Sequence, residues 1–259
     1  MSERASTINV TELIDLRPLT ELQIRVTLLR ALTIFLDGID VIVIGLVTPS
    51  LAAAIGVSIT SFGPVFGIGQ AGILVGVLTL GPLGDRFGRK RLVIGSIRLF
   101  ATFTLLTIWT TSFNELLLVR FFTGLGLGGA APNAVALTSE FAPKRLRAAF
   151  VSAQWAALPL GGVAVGLLSS VLITQWGWQS LFYIGSIVPL VLAGARILIL
   201  PESVSFLLAR GLDIGSVRKT VARLAPDLPA DPDTRYVVNT EKLPGAPMKS
   251  TCSPKAARP

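Results

Sequence analysis

The sequence predicts an all-α membrane protein with six transmembrane helices and both termini in the cytoplasm. Three observations lead there. Hydrophobic residues make up 51% of the 259-residue chain and charged residues 15%, with a mean hydropathy of +0.69, outside the range of a water-soluble domain. Two stretches, 41–84 and 148–195, contain no charged side chain, and each is about twice the ~20 residues that cross a bilayer as a helix. Lys and Arg gather in alternate loops, the asymmetry that orients membrane helices.

Taken in order, residues 1–25 read as a polar, mixed-charge cytosolic arm without the apolar stretch of a signal peptide. Apolar windows then place spans at about 26–49, 61–84, 92–111, 116–137, 148–173 and 179–200, a bundle over 26–200. Pro, Ser and Gly between 49 and 60 turn the first charge-free run back on itself. Trp176-Gly177-Trp178 turns the second and offers indoles to an interfacial belt. Alternating barrel-strand patterns are absent and an open sheet edge does not survive in hydrocarbon, so the spans are helices. Residues 201–226 read as an amphipathic cytosolic segment: Ile214, Val217, Val221 and Leu224 recur at helical spacing beside Arg218, Lys219 and Arg223, which suggests a helix resting near anionic lipid. Residues 227–259 are Pro-rich and polar, with little order expected.

The loops near 50–60, 112–115 and 174–178 hold no Lys or Arg, whereas Arg86, Arg89, Lys90 and Arg91 crowd one opposite loop and Lys144, Arg145 and Arg147 the next. This accounts for the net charge of +8 and leaves no call for a nucleic-acid partner, since no basic face interleaved with aromatics is present. One cysteine and no histidine exclude disulfide frameworks, thiolate or imidazole metal clusters and the common catalytic triads. No enzyme, metal or cofactor is implied.

Charges inside the spans carry the chemistry. Asp37 and Asp40 lie near the middle of the first span, three residues apart and so on one helix face. Two carboxylates there require a polar cavity, cationic partners or a bound proton, and such a pair titrates as one unit. That is what a proton-coupled carrier requires; a helix cap or a packing ion pair would place the same residues. Arg120 enters the fourth span from its outer end and can snorkel, pair with an aspartate, or grip a carboxylate bidentately. Glu140, at the inner end of that span, faces the basic loop as a structural partner. Arg196 is near enough to the inner surface to snorkel, while Arg98 lies about two turns inside the third span and needs a carboxylate or water.

Gly63/Gly67, Gly72/Gly76, Gly124/Gly128 and Gly162/Gly166 are small residues four apart, the spacing that lets membrane helices approach closely. Gly124, Gly126 and Gly129 also match G-x-G-x-x-G, but no strand precedes them, and helix packing explains them better than a dinucleotide.

The loop G-P-L-G-D-R-F-G-R-K, with Gly81, Asp85, Arg86, Gly88, Arg89 and Lys90, resembles the motif between the second and third helices of major facilitator superfamily transporters, and Arg120-Phe-Phe-Thr-Gly124-Leu-Gly126 resembles their fourth-helix signature. Asp37-Gly-Ile-Asp40, the glycine run ending at Pro132-Asn133, and Pro201-Glu202-Ser203 before Phe206-Leu207 are similar to the aromatic acid:proton symporter family. The resemblance implies the six-helix N-terminal half of a major facilitator fold in a bacterial inner membrane. It further implies symport of a benzoate-type or 4-hydroxybenzoate-type anion with a proton, with Asp37 and Asp40 for proton coupling, Arg120 for the anion or the relay, and the Asp85–Arg89 loop as a cytoplasmic gate. Arg98 and Arg196 stand where the family has apolar residues, and Ser205 where it has a basic one. Since only one half is present, the expectation is a truncated copy that works with a second six-helix half or as a self-dimer. The alternative is a non-transporting remnant or interaction module.

Overall fold

The computed structural model describes residues 7–199, 202–209, 214–225 and 235–237. Two small elements come first, β1 (Thr7–Asn9) and α1 (Val10–Leu16). Six long helices follow: α2 (Glu21–Ile55), α3 (Gly63–Phe87), α4 (Arg89–Leu106), α5 (Phe113–Phe141), α6 (Lys144–Trp176) and α7 (Gln179–Ile199). Two short helices, α8 (Val204–Ala209) and α9 (Ile214–Leu224), precede β2 (Arg235–Val237), which pairs in parallel with β1.

Local chemistry sets the boundaries. Thr20 and Gln23 form a capping box at the start of α2, and Ser112 and Glu115 form one at the start of α5. The Thr111 and Ser112 amides and hydroxyls hold the exposed Glu115 carboxyl below its usual range. The first turn falls later than expected: α2 runs through Pro49 and stops at Gly56, whose φ of 71° closes the helix with an N–H to the Ala52 carbonyl. A proline interrupts one backbone bond, which neighbouring helices can compensate in a membrane bundle. The second turn falls at Gly177, φ 79°, as the sequence suggests. Trp176 is exposed there, while Trp178 turns inward, edge-on to Phe182 with ring centroids 6.0 Å apart.

Among the described residues, five helices are long and apolar enough to cross a membrane: α2, α3, α4, α6 and α7. The 29-residue α5 is long enough, but Arg120, Asn133 and its glycines dilute its apolarity. It packs between α3 and α4, so neighbouring helices rather than lipid cover much of it.

Glycines permit these crossings, though not all the expected ones. Cβ atoms at Gly72 and Gly76 would strike the Phe121 and Leu125 carbonyls of α5, and those at Gly124 and Gly128 would strike Gly69 and Ile73 of α3. At Gly126 a Cβ would meet the α4 backbone at Ser96 and Phe100. The α2/α6 crossing uses Gly38 against Leu158 and Gly161 against Phe35. Gly63, Gly67 and Gly166 face open space, so spacing alone overcounted the contacts.

At one end of the bundle the flanking segments form a cap. Val217, Val221 and Leu224 of α9 are buried with Val10 and Ile14 of α1 and with Val26, Leu137, Phe141, Val204 and Leu207. The apolar face of α9 therefore turns onto protein rather than onto a lipid surface. Gln23 donates to the Phe141 carbonyl at 2.8 Å, and the Lys144 N–H donates to Asp15 at 2.8 Å, so α1 and the start of α2 are tied to the α5–α6 turn. Of the tail expected to lack order, 235–237 form β2; the remainder of 227–259 lies outside the described residues.

Candidate functional site

The α2/α6 contact at Gly38 and Gly161 brackets the two aspartates. Asp40, 4% exposed, meets Arg120, 5% exposed, with Oδ2 3.2 Å from Nη1. Its other oxygen accepts from the Thr104 hydroxyl at 3.3 Å. The Arg120 guanidinium lies 5.5 Å from the ring centre of Phe182, which is fully buried, a cation–π arrangement. Four helices thus converge: α2 brings the acid, α5 the guanidinium, α4 the hydroxyl and α7 the aromatic face. Arg120 keeps Nε and Nη2 buried with no hydrogen-bond partner. A buried pair of this kind is retained only where geometry and further hydrogen bonds offset desolvation, so two spare donors mark it as incompletely satisfied.

Asp37 lies one turn earlier, half-buried, and makes no hydrogen bond or ion pair among the described residues. The charges of Arg30, Asp40 and Arg196 reach it. The two aspartates therefore differ although they share a helix face: Asp40 is paired with Arg120, and Asp37 has no such pair among the described residues. Arg196, expected to snorkel, is 2% exposed and donates through Nη2 to the Leu29 carbonyl and the Thr33 hydroxyl. Arg98, expected to need an internal carboxylate or water, is exposed on the outer side of α4.

The loop motif forms a second constellation at the capped end. Asp85 accepts from Arg89 Nε at 3.1 Å and Nη2 at 2.9 Å, and Arg89 Nη1 reaches Glu140 at the end of α5. The other Glu140 oxygen accepts from the Ser203 hydroxyl at 2.6 Å. Glu202 accepts from the Lys90 N–H at 3.0 Å at the start of α4, where an anion complements the helix dipole. Gly88, φ 99°, leaves room for that carboxylate, since a Cβ there would press on Glu202. Gly84 leaves room for Asn133, which donates to the Leu80 and Gly129 carbonyls at 2.9 Å each. Arg86 rests 5.7 Å from the centre of the Phe87 ring, and Gly81 adjoins Pro132.

Four buried partners escaped the sequence reading: Thr104, Phe182, Arg30 and Gln154. Arg30 alone carried a signal, a cation inside an apolar window. The others are ordinary residues in such windows, and only the fold sets them against a charge.

A profile of the Major Facilitator Superfamily matches residues 30–213. The chain belongs to that superfamily. Among curated relatives, this major facilitator chain is 39% identical over 224 residues to the 4-hydroxybenzoate transporter PcaK of Pseudomonas putida, covering 86% of this chain and 50% of the relative. It is 32% identical to the benzoate transport protein of Acinetobacter baylyi, covering 90% and 51%. The chain spans about half the length of the curated relatives it matches. The proton:xylose symporter XylE superposes with a TM-score of 0.67 at 20% identity, covering 78% of this chain and 49% of XylE, a likeness of fold. Superfamily membership and five apolar helices make this a multi-pass membrane protein.

Proposed function

We propose that this chain forms the first half of a secondary transporter that carries aromatic carboxylate anions, of the benzoate or 4-hydroxybenzoate type, together with protons across a bacterial inner membrane. The observation that carries the reading is the buried Asp40–Arg120 pair with two guanidinium donors to spare. A substrate carboxylate takes those donors bidentately. Asp40, released from Arg120, accepts a proton, and loss of that proton restores the pair and expels the anion. Asp37, half-buried on the same helix, supplies a second acceptor on the proton's path. The names of the similar transporters supply the aromatic class, and they favour a carrier over a non-transporting module.

In this reading α5 crosses the membrane with the five apolar helices and both termini face the cytoplasm. The Asp85–Arg89–Glu140–Ser203 network acts as the cytoplasmic gate, stable in one state and broken in the other. Transport by alternating access requires a second six-helix half, or a second copy of this chain, across the substrate path. The test is uptake of labelled 4-hydroxybenzoate under an imposed proton gradient, with this chain in vesicles alone and together with the second half of a full-length relative. Uptake in either arm, abolished by Asp40→Asn, supports the proposal. Uptake in neither, with the chain correctly inserted, overturns it.

A further inference from the structure

A second buried cationic cluster lies nearer the capped end, apart from the Asp40–Arg120 pair. Arg30 of α2 is 3% exposed and Arg196 of α7 is 2% exposed. Arg30 donates through Nε to Gln154 of α6 at 2.9 Å and through Nη1 to the Ala131 carbonyl at 3.1 Å. Arg196 is held by Leu29 and Thr33. Each guanidinium nevertheless keeps a buried N–H group without a partner, Nη2 of Arg30 and Nε of Arg196, and so does the Gln154 amide nitrogen. Both arginines line a cavity of about 10 Å³ together with Val26, Val93, Leu137 and Thr138, room for one water-sized particle.

The charge around this cavity does not balance. Asp40 is matched by Arg120. Asp37 is the acid whose charge reaches both Arg30 and Arg196, and no ion pair joins it to either among the described residues. One carboxylate against two guanidiniums leaves an excess positive charge in a desolvated interior, and buried charges persist when they are paired or hold an ion. A neutral water would satisfy a donor and leave the charge. A carboxylate as large as benzoate is too big for the space.

We infer that Arg30 and Arg196 form a binding site for a small monovalent anion of the halide class, chloride in a cell, seated between α2 and α7 as a structural counter-ion. The occupant ties the last helix of the bundle to the first. It is distinct from the aromatic anion, which is gripped by Arg120.

Thermal unfolding of the purified chain, followed by tryptophan fluorescence in sodium chloride and in sodium gluconate at equal ionic strength, tests this. Chloride raises the midpoint saturably by about 2–4 °C at several times the dissociation constant, and bromide does the same. Arg30→Leu and Arg196→Leu each remove the halide dependence, whatever they do to the midpoint itself, and added 4-hydroxybenzoate does not compete. A midpoint indifferent to halide in the unmodified chain, or the same dependence persisting in a folded Arg196→Leu variant, overturns the inference. Should the leucine variants not fold, bromide soaked into crystals of the unmodified chain decides by anomalous scattering. A peak between Arg30 and Arg196 supports the site, and none there overturns it.

Discussion

Asp40 and Arg120 are each 5% exposed or less and meet directly, 3.2 Å apart. Removing one member leaves the other as an uncompensated buried charge, a loss of about 3–5 kcal/mol. Asp40→Asn is therefore expected to lower the unfolding midpoint of the purified chain. Arg120→Gln in that background is expected to recover part of the loss, a coupling that a double-mutant cycle measures. Glu140 is the corresponding residue at the capped end, since it holds Arg89 and Ser203 at once. Glu140→Ala is expected to cost roughly 1–3 kcal/mol, while Glu140→Gln retains the Ser203 hydrogen bond and costs less. Chemical denaturation of the two variants side by side checks the order.

Helices meet here through glycine, so the effect of a substitution depends on which glycine is changed. Gly128→Leu drives a side chain into the Ile73 carbonyl and forces α3 and α5 apart. Overpacking of this kind costs about 1–3 kcal/mol or more. Gly67→Ala meets nothing within 4 Å and is expected to stay within about 0.5 kcal/mol of the parent. Resistance of the folded chain to SDS unfolding distinguishes the two. In the cap, Val217 is fully buried between α9 and its neighbours. Val217→Ala is expected to loosen α9 by roughly 1–2 kcal/mol, read as faster limited proteolysis near α8 and α9 with the bundle left intact.

For the molecule as a whole, the cap gathers α1, the Arg86–Arg91 loop, the α5–α6 turn, α8 and α9 at one end, and that end carries the basic residues. Under the proposed topology, the positive-inside rule puts this end in the cytoplasm. The sole cysteine, Cys252, gives a direct check. A membrane-impermeant maleimide is expected to label it in inside-out vesicles and not in right-side-out ones. Cysteine placed at Ser58, in the turn between α2 and α3, with Cys252 changed to Ser, is expected to show the reverse. Labelling of Cys252 from outside would invert the topology and overturn the proposed cytoplasmic gate.

Much of this was legible in the chain of residues. The membrane class, the approximate spans and the clustering of cations in alternate loops follow from transfer free energies that add along a helix whatever it later packs against. Gly177 as a turn and Ser112-x-x-Glu115 as a cap are equally local. The tertiary structure decided what depends on two distant segments arriving together. It paired Asp40 rather than Asp37 with Arg120, chose Gly161 over Gly162 for the tightest approach to α2, turned α9 onto α1 instead of lipid, and buried Arg196 beside Arg30. The physical reason is range: a side chain's preference for lipid or water belongs to that side chain alone, whereas an ion pair or a backbone contact is set over a few ångströms by how helices distant in the sequence cross.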